Sequence, residues 1–464
     1  MPPASGFLAD SPPGCLALRR LGMGMGKEGR RGWARSVWSM NCVLPVHMTA
    51  VERPGRRVVH VLRKYDPREW GGTETHVVEV TRRLAALGWG PEVHAPAGPS
   101  EPDRALGPEV PLLRYQAFCP FLGPAEKRRA LIANAGNLAT FDEPLRLAKD
   151  AGLALAHLHT AGRIGGAVRT AMRLTRRPYV ISVHGPLLAR KSWLEQDTAR
   201  RLSGLMDMGR PIGWLFGARR VIQDAARVIT FNEEERRALS EVIGDRAVRL
   251  DQGVDLERMA KGSAQRARER WPRFARARVV TLVGRISPQK NQVLAVRAFA
   301  AGAPEDHHLV LAGATVDAAY GEKLKREIQA LGLGERVHVL GNLDAAREVP
   351  DLLALSRLVL VPSAHEAFGL AVLEAWAAGR PALLADHSGL ADLAGAIGPE
   401  GLSVPTLEVE DWAQALRKAL ANPVRLDVAA RAGAGQVRQR FSWDVVASKV
   451  AELYQAVLEE GARR

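Results

Sequence analysis

Cysteine is scarce: 464 residues hold three, Cys15, Cys42 and Cys119. They show no metal-ligand spacing and cannot build a disulfide framework, so a reducing compartment, the cytoplasm, is the simplest setting. No apolar run reaches about 18 residues, so no membrane-spanning helix is expected. The first 55 residues lack the apolar core of a signal peptide. No G-x-x-x-x-G-K-[ST] string occurs, which excludes a P-loop. Gly24-Met-Gly26-Lys27-Glu28-Gly29 matches G-x-G-x-x-G in form, but no strand precedes it and no helix pattern follows, so it is not a dinucleotide site. No basic helix with interleaved aromatics and no nucleic-acid module is found, so nucleic acid is not an expected partner.

What remains is ordinary for a soluble globular protein: 47% hydrophobic and 25% charged residues. The net charge is +15 and the isoelectric point about 10.2. Such a balance suits an anionic partner, a lipid surface or a phosphorylated acceptor. The plain reading is a basic cytoplasmic enzyme whose contact with an anionic membrane, at its inner face, is at most peripheral. Seven Lys/Arg against three acids in residues 1–55 give +4 of that charge. This segment is rich in Gly, Pro, Arg and Met without periodicity, and is expected to be disordered.

From Arg57 on, short apolar runs alternate with helical patterns, as in a doubly wound α/β protein. Buried-strand runs fall at Arg57–Leu62, Leu153–Leu158, Tyr179–Val183 and Arg227–Phe231. Gly71 and Gly72 precede a helix expected from about Thr73 to Leu87, with Thr73 as its cap, and let backbone approach a ligand there. His184 ends the Tyr179–Val183 strand in SVHG, well placed for a site, whereas His159 is read as structural. Residues 187–217, with Trp193, Trp214 and Phe216, read as a polar insertion packed by helices. Residues 256–275 are charged and loosely patterned, suiting a linker. A second series opens at Arg278–Val283, followed by GRISPQKN. Arg285 and Lys290 there form a cation pair at a strand's carboxyl end, able to clamp a diphosphate. Strands at His308–Leu311, Val337–Leu340 and Leu358–Val361 alternate with helices at Ala318–Leu331 and Ala346–Leu355.

The chain is organised around Val361–Pro381, VPSAHEAFGLAVLEAWAAGRP. A buried strand ends at Pro362. A loop carries Glu366, and Phe368-Gly369-Leu370 open a helix of roughly Gly369–Ala378 that is apolar nearly all round. The free N–H groups at that start form an anion site. Glu374 lies inside the helix, where a carboxylate is costly unless something hydrogen-bonds it. An arginine would make it structural; a ligand hydroxyl would make it functional, its empty pocket holding water.

Two glutamates eight positions apart mean little alone, but the whole string resembles the donor-sugar motif of the retaining glycosyltransferases of family 4. SVHG, the Gly71–Gly72 loop and the R-x-x-x-x-K spacing resemble that family too, over roughly Arg57–Gly461. The sequence departs from the pattern at Gln252, where N-G-V-D is usual, and at Ser388-Gly389 with Asp392, where a glycine pair and an acid are common. The resemblance implies a GT-B fold, two Rossmann-like domains facing across a cleft, with residues 56–255 as the acceptor side. The nucleotide-sugar domain would span 276–440, and a helix in 441–464 would cross back. It implies sugar transfer from a nucleotide-sugar to an acceptor hydroxyl, without cofactor or metal. Glu366 would orient the sugar, Glu374 hold the ribose, and Arg285 and Lys290 neutralise the diphosphate. Phe368, Gly369 and Leu370 would line the donor, and His184 with Gly71 and Gly72 would close the site. Two rival readings are a same-fold epimerase or phosphorylase and a two-lobed solute-binding protein. Removal of residues 1–47 is expected to leave folding and activity intact; loss of soluble protein on truncation would contradict this.

Overall fold

The structure, a computed structural model, describes residues 56–66, 71–97, 105–133, 136–185 and 206–463. The extension of residues 1–55 and the insertion as far as residue 205, Trp193 included, lie outside them. In the first domain the strands are β1 (Arg57–Val61), β2 (Gly90–Pro96), β3 (Leu112–Tyr115), β4 (Phe121–Leu122), β5 (Leu153–Leu158), β6 (Tyr179–Ser182), β7 (Met206–Asp207), β8 (Arg227–Thr230) and β9 (Ala247–Arg249). Seven of them form a parallel sheet ordered β3-β2-β1-β5-β6-β8-β9, and β4 pairs with β7 apart from it. Runs such as RVVHV and LALAHL suit strands covered on both faces, which is why a parallel sheet results.

The second domain holds β10 (Arg278–Val283), β11 (His307–Ala312), β12 (Val337–Gly341), β13 (Ser356–Val361), β14 (Ala382–Ala385) and β15 (Leu402–Val404), ordered β12-β11-β10-β13-β14-β15. The fold is thus two Rossmann-like sheets with helices around them, as expected. In the second sheet the order reverses between β10 and β13, which lie side by side. Open α/β sheets bind ligands at the carboxyl ends of strands at such a switch point. The loops carrying Arg285–Lys290 and Glu366 leave from these two ends.

Four local differences have physical reasons. The helix after β1 spans Gly72–Ala86 with Gly71 as its cap, so Thr73 lies inside it rather than capping it. The helix of the central motif spans Leu370–Ala377, and Gly369 caps it at φ +108°, a left-handed conformation that favours glycine. Residues 256–275, read as a linker from their charge, fold into helices Leu256–Ala260 and Ala264–Arg270. Ala267 and Phe274 are buried there. Ser263 N–H donates to Asp351 at 2.8 Å, and Arg266 reaches the same carboxylate at 2.7 Å, which ties the segment to the helix Glu348–Leu355. The strands β9 and β15, each of three residues, were too short to show a period.

The last helix, Trp443–Ala462, crosses back onto the first domain. Trp443 packs on His76 (5.8 Å between rings), Tyr454 on Trp89 (5.3 Å), and Arg83 donates to Asp444 at 2.7 Å. At the crossing, Arg440 donates two hydrogen bonds, 2.8 and 2.9 Å, to buried Asp251 of the first domain. Removing one partner of such a pair strands the other. Asp251→Ala is expected to cost about 2–3 kcal/mol in urea unfolding. Unchanged stability would mean that apolar packing alone holds the crossing.

Candidate functional site

The loop after β10 and the loop after β13 are stitched together by their backbones. Ala364 N–H donates to Gln289 C=O at 2.8 Å, and Gln289 Nε2 returns a bond to His365 C=O at 2.9 Å. This stitching sets Lys290 against Glu366, and Glu366 accepts from Lys290 Nζ and, at 2.8 Å, from Ser363 Oγ. Arg285 on the same loop is exposed, and its guanidinium has no hydrogen-bond partner among the described residues. From the other side, Gly389 N–H donates to Glu366 C=O at 3.0 Å. A Cβ at Gly389 would lie 2.5 Å from Ala367 C=O, so the glycine of Ser388-Gly389 is required by this close approach.

Glu374, one turn into its helix, is about a quarter exposed. Burial pushes its carboxyl above the usual range, against the opposing pull of Arg258 and of Lys290. Of the two partners considered for this carboxylate, the arginine is present: Arg258 Nη2 donates to it at 3.1 Å, so the site is not left to water alone. Arg258 comes from the segment read as a linker, so no local pattern announced it. The pull of Lys290 on Glu374 places both glutamates and the lysine around one region. Phe368 is buried and meets Phe441 edge-on at 5.9 Å. No side chain caps the first turn after Gly369; Val372 N–H donates to Gly369 C=O at 2.9 Å, and the amides of Leu370 and Ala371 before it remain available to an anion.

The first domain reaches this region at two points. A Cβ at Gly72 would lie 3.5 Å from Leu370 Cδ1, so the Gly71–Gly72 turn faces the start of the central helix. Asn232, at the end of β8, caps the helix Glu233–Ile243 and donates from Nδ2 to Ala367 C=O at 2.9 Å. Asp392 accepts from Glu233 N–H at 2.8 Å and pairs with Arg249 at 3.3 Å, so it is an interdomain contact. Gln252 also has a partner: its Oε1 lies 2.8 Å from His76 Nδ1.

His184 follows β6, and its ring meets His76 at 5.1 Å and Phe231 at 4.9 Å. It belongs to a larger group. His159, read as structural, contacts His184 through Nδ1···Nε2 at 2.8 Å and His60 through Nε2···Nδ1 at 3.0 Å. His60, His157 and His159 each bring one nitrogen within 4.8 Å of the others, a trio close enough to hold a cation. Burial, and then the neighbouring imidazoles, hold His157 and His159 well below the ordinary range, and burial does the same to His184. Burial also pushes His60 down to about 3 and His76 to about 4. The five rings are therefore neutral near pH 7.

Fold and site together define a two-domain α/β protein with a cluster of charged side chains at the switch point of its second sheet. The chain belongs to glycosyltransferase family 4. The model described as Glycosyltransferase Family 4 matches residues 70–258, and that described as Glycosyl transferases group 1 matches residues 263–436. The D-inositol 3-phosphate glycosyltransferase of Saccharomonospora viridis is 30% identical over 452 residues, covering 92% of this chain and 96% of that protein. That of Nocardia farcinica is 33% identical over 321 residues, covering 66% and 67%. Among solved structures, sucrose-phosphate synthase from Thermosynechococcus elongatus has a TM-score of 0.67 at 21% identity, over 87% of this chain and 100% of its own. Anabaena HepE in complex with UDP-glucose has a TM-score of 0.64 at 19%, over 86% and 99%. These two likenesses show the fold. The protein is a glycosyltransferase, and the epimerase, phosphorylase and solute-binding readings are not favoured. Among the described residues no helix is long and apolar enough to cross a membrane.

The histidine pKa values give a stability signature. An unfolded histidine takes a proton below about pH 6.5, whereas His60 and His76 stay neutral until about pH 3 and 4. Their contribution is full above pH 6.5 and is lost as pH falls toward those values. Each group steepens the loss by about 1.4 kcal/mol per pH unit. Urea unfolding at pH 6.5, 5.5 and 4.5 should show this fall, and His76→Phe should reduce its slope by about one proton. A flat profile would contradict the neutral assignment.

Proposed function

We propose that the protein moves a sugar from a nucleotide-sugar to an acceptor hydroxyl with retention at the anomeric carbon. The observation that carries this reading is the Lys290–Glu366 pair at the carboxyl ends of β10 and β13, with Arg285 on the same loop exposed and its guanidinium without a partner among the described residues. A nucleotide-sugar has its diphosphate next to its sugar, and this site has a cation next to a carboxylate. Lys290 and Arg285 take the diphosphate, and the amides after Gly369 share its charge. Glu366 takes sugar hydroxyls on the other side of the bond that breaks, and Glu374 takes the ribose hydroxyls. His184 and the Gly71–Gly72 turn close the pocket from the first domain.

The anomeric carbon–oxygen bond to phosphate breaks as positive charge grows on the sugar. The acceptor oxygen bonds to the same face, and its proton passes to the leaving diphosphate oxygen. No side chain then needs to act as nucleophile, and the two cations stabilise the departing charge. The curated relatives are named for D-inositol 3-phosphate. A phosphorylated cyclitol is therefore the first acceptor to try, and the net charge of +15 favours an anionic one. The low cysteine count favours the cytoplasm, with membrane contact limited to the periphery.

Calorimetry with UDP, GDP and ADP, followed by turnover with the matching sugars, tests the reading. Arg285→Ala and Lys290→Ala are each expected to weaken turnover by about a hundredfold. Their effects should be non-additive, since both address one diphosphate. Mild independent effects would point to a solvated loop. Glu366→Gln is expected to lower kcat by about a hundredfold or more while nucleoside diphosphate affinity changes little. Glu374→Gln should weaken both donor and nucleoside diphosphate. Because Arg258 then loses a charged partner, the same variant should also cost about 1–3 kcal/mol of stability. A loss of stability with unchanged nucleotide affinity would make Glu374 structural only.

A further inference from the structure

The buried histidines form a continuous hydrogen-bonded chain that starts at Ser182 and ends at His184. Ser182 Oγ lies 2.8 Å from His157 Nε2, and His157 Nδ1 lies 2.5 Å from the Tyr454 hydroxyl. Tyr454 Oη lies 3.3 Å from His60 Nε2, His60 Nδ1 lies 3.0 Å from His159 Nε2, and His159 Nδ1 lies 2.8 Å from His184 Nε2. The links use three strands of the first sheet and the crossing helix. Tyr454, His60 and His157 are fully buried, and Ser182 and His159 nearly so.

A neutral imidazole carries one N–H, so each ring in the chain donates from one nitrogen and accepts at the other. The proton on one ring therefore fixes the proton on the next, and because the fully buried Tyr454 hydroxyl must also donate, the chain has only two polarities. Ser182 decides between them. Its hydroxyl has no other hydrogen-bond partner among the described residues. A buried donor left unpaired is costly. Ser182 must then donate to His157 Nε2. His157 donates from Nδ1 to Tyr454, Tyr454 donates to His60 Nε2, His60 donates from Nδ1 to His159, and His159 donates from Nδ1 to His184 Nε2. His184 is left with its proton on Nδ1, which has no partner among the described residues.

We propose that Ser182, His157, Tyr454, His60 and His159 are positioning residues that hold His184 with its proton on Nδ1, as a fixed hydrogen-bond donor to a hydroxyl of the sugar substrate. This rests on the reading of His184 as part of the sugar site. It adds that the crossing helix, through Tyr454, sets the proton on a residue of the opposite domain. Binding a cation at His60, His157 and His159 would break these links, since every ring nitrogen of the trio is engaged in the chain. No acidic side chain is in hydrogen-bond contact with any of the three among the described residues. The remaining close charges and titratable groups are the His76 ring, which packs on His184, and Arg63.

The test is the ¹⁵N spectrum of the full chain labelled in histidine, with His184 assigned by the signals lost in His184→Asn. The wild type should show a protonated Nδ1 and a bare Nε2 at His184, unchanged from pH 5.5 to 8. Tyr454→Phe keeps the ring and removes the link. It should mix the two tautomers at His184 and lower kcat by about tenfold with little change in donor KM. A proton on Nε2 in the wild type, or a Tyr454→Phe variant with unmixed His184 signals, would overturn the proposal. A shift of the His60, His157 and His159 signals on adding equimolar Zn²⁺ would do so as well, by making the trio a metal site. These spectra need no turnover, so an absence of nucleoside diphosphate binding in the wild type would count against the sugar-transfer reading alone.

Discussion

The ion pair between Lys290 and Glu366 is the contact on which the rest of the site depends. Both groups are largely out of water, with side chains 18% and 10% exposed, and neither charge would be tolerated there alone. The pair exists because β10 and β13 are neighbours at the reversal of the strand order and because Gln289 stitches their loops. Each partner of the pair has a counterpart in the proposed substrate. A diphosphate replaces the carboxylate against Lys290, and sugar hydroxyls replace the ammonium against Glu366. Binding then exchanges partners instead of stripping water from bare charges, and the polar groups are already aimed where charge develops.

A second constraint is the fit between domains. The first domain meets the central motif through backbone and small residues, at Gly72 against Leu370 and at Asn232 against Ala367. Asp392 with Arg249 and Glu233, and Asp251 with Arg440, fasten the same approach by charge. The crossing helix adds Trp443 and Tyr454 to the first domain's core. These contacts fix how the two domains meet and leave Arg285 exposed.

The sheets were legible in the sequence because parallel strands covered on both faces read as unbroken apolar runs. The proposed donor site stands out in the sequence because its loops are short and their charged residues stand just after those runs. What was not legible needed long-range pairing. Arg258 sits 116 positions from Glu374, in a stretch whose charge suggested solvent. His157 in β5 and His159 just after it are two positions apart, a spacing that can put both on one face. His60 joins them only because β1 lies beside β5 with His60 opposite His157. Gln252 stands where the family usually has asparagine, and its role comes from His76 on a distant helix. Asp392 stands where the family commonly has an acid, and its partners, Glu233 N–H and Arg249, lie on the other domain.

A site at the β10–β13 switch point that presents a sugar to its acceptor on the face the diphosphate leaves must keep the donor's anomeric configuration. The most direct measurement is the anomeric configuration of the product, read from the coupling of its anomeric proton, when an α-linked nucleotide-sugar is the donor. An α-linked product is expected, with one nucleoside diphosphate released per linkage formed. A β-linked product would contradict it, because inversion requires a side-chain base on the opposite face, which this arrangement does not use.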